Sequence, residues 1–158
     1  MRIIVFSDTH GNFHTMEEIF KRNDSADAFI FLGDGERELN RIRELYPRKR
    51  IYNVAGNCDY GSKALNWDML MVNKVKIIFT HGHNDGVKFS FDMIKEKAKK
   101  SEADIVLFGH THCRYYSYEN GLHILNPGSA SQPRDFKPKS YAFIDITHAG
   151  IMCAHVDL

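Results

Sequence analysis

The sequence is short of cysteine, of net charge and of long apolar runs, and each shortage excludes a class of protein. Its three cysteines, Cys58, Cys113 and Cys153, are odd in number and far apart, which excludes a disulfide framework and a paired zinc-ribbon spacing. The 21 basic residues nearly balance the 20 acidic ones, and a net charge of +1 is not the basic footprint of a nucleic-acid-binding protein. No apolar run approaches the roughly 20 residues of a membrane helix. We therefore expect a protein of the reducing cytoplasm, with no membrane anchor and without nucleic acid as its main partner.

The N-terminus and the length agree with this expectation. The chain starts with the strand-like run RIIVF, which lacks the longer apolar core and cleavage site of a signal peptide. With 158 residues, 43% of them hydrophobic, the chain is long enough to bury a core of its own. We expect a single domain that spans residues 1–158.

Short apolar runs followed by small and polar residues recur along the chain. There are six of them: RIIVF before SDTHGN, AFIFL before GDGE, IYNVA before GNCD, VKIIF before THGHND, DIVLF before GHTH, and LHIL before NPGS. Runs of this length, bounded by glycine and polar residues, predict buried strands. Because the strands are apolar throughout, the sheets they form are expected to be covered on both faces.

Helices and hairpins are predicted between and after these strands. Apolar residues at helical spacing predict three helices, over 14–22, 36–45 and 87–99. Hairpin turns are predicted at Asn73-Lys74 and Asn120-Gly121, and two further strands over 140–158. The order of these elements predicts an α/β fold, with two mixed sheets packed face to face and helices on the outside.

Side chains with metal-binding chemistry follow five of the predicted strands. They are two carboxylates, one amide and four imidazoles: Asp8, His10, Asp34, Asn57, His81, His110 and His112. In sheets with parallel strands, groups at the carboxyl ends meet at one edge. Residues two apart on an extended backbone point to the same side, so His110 and His112 are expected to point into one pocket.

This donor set predicts metal ions rather than a structural zinc site. Oxygen and nitrogen ligands without thiolate suit manganese, iron, zinc or nickel. Seven ligands exceed the need of one ion, and suit two ions about 3.5–4 Å apart that share a carboxylate. We expect two divalent ions, with manganese preferred over nickel, zinc, iron or cobalt.

The motifs DTH, GD, GNCD, HGH and GHTH, followed by NPGSAS, resemble those of the calcineurin-like metallophosphoesterases. The resemblance runs in order from Met1 to about Ser131, and is greatest to the small single-domain bacterial and archaeal phosphodiesterases. It implies a four-layer α/β sandwich. It also implies that Asp8, His10 and His112 hold one ion, that Asn57, His81 and His110 hold the other, and that Asp34 bridges them. The implied reaction is phosphoester hydrolysis by in-line attack of a metal-bridging hydroxide.

The sequence departs from the family at Cys58, where many relatives have a histidine that is thought to assist the leaving group. His83, two residues after His81, is a candidate substitute, so the expected catalytic residues are Asp34, Asn57, Cys58 and His83. Cys58 also leaves open a second interpretation, a catalytically weak protein-binding scaffold of the same fold, similar to a retromer subunit. We favour the enzyme, because a scaffold has no physical need for seven converging ligands. A third interpretation, a metal-dependent nuclease, is less well supported, because a nuclease needs a basic groove and the net charge of this chain is only +1.

The expected substrate is a small phosphoester, with nucleotide-like compounds among the candidates. Arg134 could hold a phosphate oxygen with its guanidinium fork, and Asn126 of the NPGS turn could line the rim of the site. A strand edge or the tyrosine-rich hairpin around Tyr116 could support a homo-oligomer.

Overall fold

The computed structural model describes all residues from Met1 to Leu158. It contains ten strands and three α-helices, and the six predicted apolar runs all contribute strands. In chain order the elements are β1 (Arg2–Phe6), α1 (Phe13–Arg22), β2 (Ala28–Phe31), α2 (Glu36–Leu45), β3 (Ile51–Asn53), β4 (Trp67–Val72), β5 (Val75–Thr80), α3 (Asp92–Lys100), β6 (Ile105–Leu107), β7 (Arg114–Glu119), β8 (Leu122–Pro127), β9 (Ser140–Thr147) and β10 (Gly150–Asp157). A 3-10 turn, His83–Asp85, follows β5. No helix has both the length and the apolar character needed to cross a membrane.

The strands form two mixed five-stranded sheets. The first has the order β10-β9-β1-β2-β3 and the second the order β4-β5-β6-β8-β7. In each sheet three neighbouring strands are parallel, β1, β2 and β3 in one and β5, β6 and β8 in the other, and the remaining pairings are antiparallel. The carboxyl ends of the parallel strands carry the loops with the predicted ligands.

Three apolar clusters hold the layers together. The largest joins side chains of both sheets, such as Ile3 and Val5 with Ile77 and Phe79, so the sheets pack face to face. A second cluster packs α1 and α2 on the outer face of the first sheet. A third packs α3 on the outer face of the second sheet. The four-layer sandwich predicted from the sequence is confirmed.

The predicted hairpins and the second helix agree closely with the structure, and the third helix does not. Both hairpin turns have positive φ at their two central residues, as type I′ turns require. The prediction that a helix begins at Val87 was wrong, because α3 begins at Asp92. Residues 86–89 form a turn closed by the N–H of Phe89 on the carbonyl oxygen of Gly86, and the hydroxyl of Ser90 accepts from the N–H of Asp92 where α3 begins. Val87 instead packs its buried side chain against the backbone of Gly82.

Candidate metal centre

Five of the seven predicted ligands lie on loops with a strained backbone. Asp8, His10, Asp34, His110 and His112 all have positive φ, between 43° and 65°. Left-handed conformations in residues other than glycine are uncommon, and they cluster at functional sites where the surroundings hold them in place. We expected an extended backbone at His110 and His112, and this expectation was wrong. Their rings instead face different partners, since His110 lies 5.0 Å from the ring of His81 and His112 lies 4.9 Å from the ring of His10.

The first group of ligands is formed by Asp8, His10 and His112. The Nε2 atom of His112 lies 3.2 Å from Oδ1 of Asp8 and 3.1 Å from Nε2 of His10. The Nδ1 atom of His112 lies 2.7 Å from the carbonyl oxygen of Gln132. A carbonyl only accepts hydrogen bonds, so Nδ1 carries a proton and Nε2 is the nitrogen that faces the site.

Of the second expected group, Asn57 and His81 lie together, while His110 is near them only through its ring, 5.0 Å from that of His81. The Nε2 atom of His81 lies 3.1 Å from Oδ1 of Asn57, while its Nδ1 donates to the carbonyl oxygen of Leu32 at 2.7 Å. Burial, followed by the charges of His81 and Lys88, lowers the pKa of His110 to about 4. The His110 ring is therefore neutral at neutral pH and able to bind a metal ion.

The carboxylate of Asp34 lies between the two groups. Its Oδ2 atom is 3.5 Å from Nε2 of His81 and 3.7 Å from Nε2 of His10. Its Oδ1 atom accepts a hydrogen bond of 2.7 Å from the backbone N–H of Cys58. Asp34 thus lies within reach of an imidazole nitrogen of each group.

The donor set fits divalent cations. Oδ1 of Asp8 is buried without a hydrogen-bond donor, and it faces the lone pair of His112. The lone pair of His81 likewise faces the amide oxygen of Asn57, so acceptors oppose acceptors in both groups. Burying such groups without compensation is costly, and a cation between them removes the cost. The structure therefore contains candidate metal-ligand residues of the kind the sequence predicted.

Cys58 and His83 lie at the rim of this site. The exposed Cys58 thiol accepts a hydrogen bond of 3.2 Å from Nδ2 of Asn57, and it lies close to His10 and Asp34. Burial of the sulfur and the nearby Asp34 carboxylate raise the pKa of the thiol. The ring of His83 lies 5.4 Å from that of His81, and its buried Nδ1 has no hydrogen-bond partner. Burial and His81 lower the pKa of His83.

The two residues expected to contact substrate have different positions. Arg134 is exposed, and its backbone N–H donates to the carbonyl oxygen of His112, which places it next to the first group. Asn126 is fully buried, and its Nδ2 donates to the carbonyl oxygen of Gly109 and to Oγ1 of Thr111. Its Oδ1 accepts from the N–H of Gly128. Both ends of this amide are hydrogen-bonded inside the protein, which argues against contact with substrate. Asn126 instead holds the loop that carries His110 and His112.

Asp59 positions the site, although the sequence argument did not assign it a role. Its carboxylate accepts four hydrogen bonds of 2.8 Å, from the backbone N–H groups of Asp34, Gly35, Glu36 and Gly56. It therefore fixes the loop of Asp34 against the loop of Asn57. The only feature of the sequence that could have indicated this role is the acidic residue that ends the GNCD motif.

Two serines and a glycine support Asp8 in the same way. The hydroxyls of Ser129 and Ser131 donate to the carbonyl oxygen of Asp8 at 2.8 and 3.0 Å. A Cβ at position 109 would collide with Oγ of Ser7, so only glycine allows this approach between the loops. The serines of the NPGSAS segment are the feature of the sequence that could have indicated this support of Asp8.

An α/β sandwich that gathers carboxylate, amide and imidazole groups at the carboxyl ends of its strands is the architecture of a metal-dependent hydrolase. The sequence model of the calcineurin-like phosphoesterase superfamily domain matches residues 1–149. The chain belongs to this superfamily, and the resemblance identified from the motifs is confirmed.

Two relatives and one solved structure indicate the branch, and a second solved structure shows the shared fold. The chain is 32% identical to the probable metallophosphoesterase YsnB of Bacillus subtilis, over 92% of this chain and 85% of YsnB. It is 26% identical to phosphodiesterase YfcE of Escherichia coli K12, over 92% of this chain and 88% of YfcE. A predicted phosphoesterase of Streptococcus pneumoniae has a crystal structure that superposes with a TM-score of 0.87 at 33% identity, covering 99% of this chain and 88% of that one. Vps29 of Entamoeba histolytica, solved with Zn²⁺, shares the fold at a TM-score of 0.75 and 18% identity, with 99% of each chain covered.

Proposed function

We propose that the protein is a phosphodiesterase that works with two divalent metal ions. Asp8, His10 and His112 would hold one ion, Asn57, His81 and His110 the other, and Asp34 would bridge them. The single observation that carries this proposal is the carboxylate of Asp34, which lies within 3.7 Å of an imidazole nitrogen from each group. The relationship to YfcE, a phosphodiesterase, supports the diester as substrate. The three free cysteines support a reducing cytoplasm as its location.

The metal ligands and the side chains at the rim of the site would have different roles in hydrolysis. Two bound cations would lower the pKa of coordinated water and neutralise charge on the phosphoryl oxygens. His81 and His112 keep their Nδ1 protons on backbone carbonyls, which fixes each ring with its Nε2 lone pair toward the site. Cys58, whose sulfur lies 3.2 Å from Nδ2 of Asn57, is placed at the rim where it could donate a proton to the leaving oxygen. His83, whose ring lies 5.4 Å from that of His81, is the second candidate to assist the leaving group.

The test is hydrolysis of bis-p-nitrophenyl phosphate against p-nitrophenyl phosphate. The protein is stripped with a chelator and reloaded separately with Mn²⁺, Ni²⁺, Zn²⁺, Fe²⁺ and Co²⁺, with Asp34→Asn as the control. We expect metal-restored cleavage of the diester, faster than that of the monoester and lost in Asp34→Asn. Absence of turnover with every metal would overturn the proposal.

The second candidate function is the protein-binding scaffold of the same fold. The structural similarity to Vps29 fits this alternative. It does not outweigh the enzyme, because all seven predicted ligands are present and have the donor chemistry that metal binding needs. Metal binding that is normal by direct measurement, together with no hydrolysis of any phosphoester, would favour the scaffold.

A further inference from the structure

An open depression of about 580 Å³ lies next to the first group of ligands. Its lining contains no carboxylate and consists of His10, Gly11, Asn12, Phe13, His14 and Arg41. His10 belongs both to this lining and to the ligand group with Asp8 and His112. A substrate whose reacting phosphoryl group lies at the metal centre would therefore extend one of its ester groups into this depression.

The guanidinium of Arg41, on α2, stacks on an aromatic ring and has no anionic partner. Its guanidinium carbon lies 4.0 Å above the centre of the Phe13 ring. Arg2 and Arg22 pair with carboxylates, whereas no carboxylate lies within ion-pair distance of Arg41. Stacking on an aromatic ring fixes the plane of a guanidinium and leaves its N–H donors free at the edge. A fixed, unpaired guanidinium fork is suited to bind phosphate through two parallel hydrogen bonds.

We propose that Arg41 binds a second phosphate group of the substrate, so that the natural substrate is a phosphodiester that carries an additional phosphate. This inference rests on the proposed function, since it places the reacting diester at the metal centre. The exposed imidazole of His14, on the same lining, supplies a further hydrogen-bond donor to that phosphate. The depression thereby selects substrates by charge at a distance from the reacting phosphorus.

The experiment compares two chromogenic diesters that differ in one phosphate. They are thymidine 5′-(p-nitrophenyl phosphate) and the same compound with a phosphate on the 3′ oxygen. With the Mn²⁺-loaded protein we expect a KM about 10-fold lower for the 3′-phosphorylated ester, the size expected for charged hydrogen bonds. In Arg41→Gln the ratio of the two KM values is expected to fall to about one.

Arg37→Gln is the matched control. Arg37 lies one turn earlier on α2, is exposed and lines a different depression together with Cys58 and Tyr60. This variant removes the same charge from the same helix but leaves the depression beside His10 unchanged. We therefore expect it to keep the roughly 10-fold ratio of the two KM values. Phe13→Leu, which removes the ring beneath Arg41, is expected to give an intermediate ratio.

A direct binding measurement separates this inference from the proposed function. The Nε–Hε signal of the Arg41 side chain is followed by NMR in the metal-free protein during titration with thymidine 3′,5′-bisphosphate and, separately, thymidine 5′-monophosphate. We expect the bisphosphate to shift the Arg41 signal at lower concentration, with the Arg37 signal unmoved. Hydrolysis with equal KM values in the wild type, or a ratio retained in Arg41→Gln, would overturn the inference and leave the phosphodiesterase intact. Absence of hydrolysis with every metal would overturn the phosphodiesterase, and the NMR titration would then decide on the phosphate site alone.

Discussion

At the scale of single residues, the site combines predictable ligands with supports that only the folded chain shows. Asp8, Asp34 and His81 follow apolar strands within three residues, and their chemistry was visible in the motifs. The role of Asp59 was not, because its four hydrogen-bond donors come from two loops that approach each other only in the tertiary structure. Positive φ at the ligand residues was also unpredictable, since it depends on how neighbouring loops hold the backbone.

The Cys58 thiol is proposed to limit which leaving groups the enzyme can accept. We predict that Cys58→His raises turnover of diesters with alkoxide leaving groups by roughly 10²-fold, the lower end of general acid–base catalysis. Turnover of p-nitrophenyl esters should change little, because p-nitrophenolate leaves without a proton. The measurement is kcat for the wild type and the variant on a matched alkyl and p-nitrophenyl ester. An equal effect on both esters would argue against a proton-transfer role at this position.

At the scale of elements, local signals determined some boundaries and packing determined others. The hairpin turn at Asn120-Gly121 and the helix over 36–45 were predictable, since Asn-Gly favours a type I′ turn and Pro47 follows the end of α2. The start of α3 was not, because Val87 packs against Gly82 within a turn and Ser90 accepts from the N–H of Asp92. The apolar residues of that segment were nevertheless correctly expected to be buried, as Val87, Ile94 and Ala98 show.

Asp59 links two elements, the start of α2 and the loop after β3. We predict that Asp59→Ala lowers the free energy of unfolding by roughly 2–4 kcal/mol, because several backbone N–H groups lose their acceptor. Chemical denaturation monitored by circular dichroism measures the change. The control is Asp24→Ala, whose exposed side chain pairs with Lys49 at the surface and should cost about 0–1 kcal/mol. Equal stability losses in the two variants would contradict the positioning role of Asp59.

At the scale of the whole molecule, the two sheets bring together loops from both halves of the chain. His10 after β1 and His112 after β6 are 102 positions apart, yet their Nε2 atoms lie 3.1 Å apart. The fold class was predictable because apolar strands and outer helices have distinct periodicities. Which face of one sheet meets the other was not, since it emerges only in the cluster that joins Ile3 and Phe79.

Metal binding should therefore stabilise the whole fold. We predict that Mn²⁺ at about 100 times its dissociation constant adds about 2.7 kcal/mol to the free energy of unfolding. For a domain of this size that corresponds to a rise of about 5–10 °C in Tm. Scanning calorimetry with Mn²⁺ and after chelation measures the shift, and Asp34→Asn should show a smaller one. An unchanged Tm in the wild type would mean that no ion binds preferentially to the folded state.

The most direct test of a dinuclear site bridged by Asp34 is the number of ions that each chain binds. The wild type and Asp34→Asn are equilibrated with Mn²⁺, separated from free ions by gel filtration, and analysed for metal and protein content. The two-ion account predicts about two ions per wild-type chain and fewer in the variant. One ion or none per wild-type chain, or equal contents in both proteins, would contradict it.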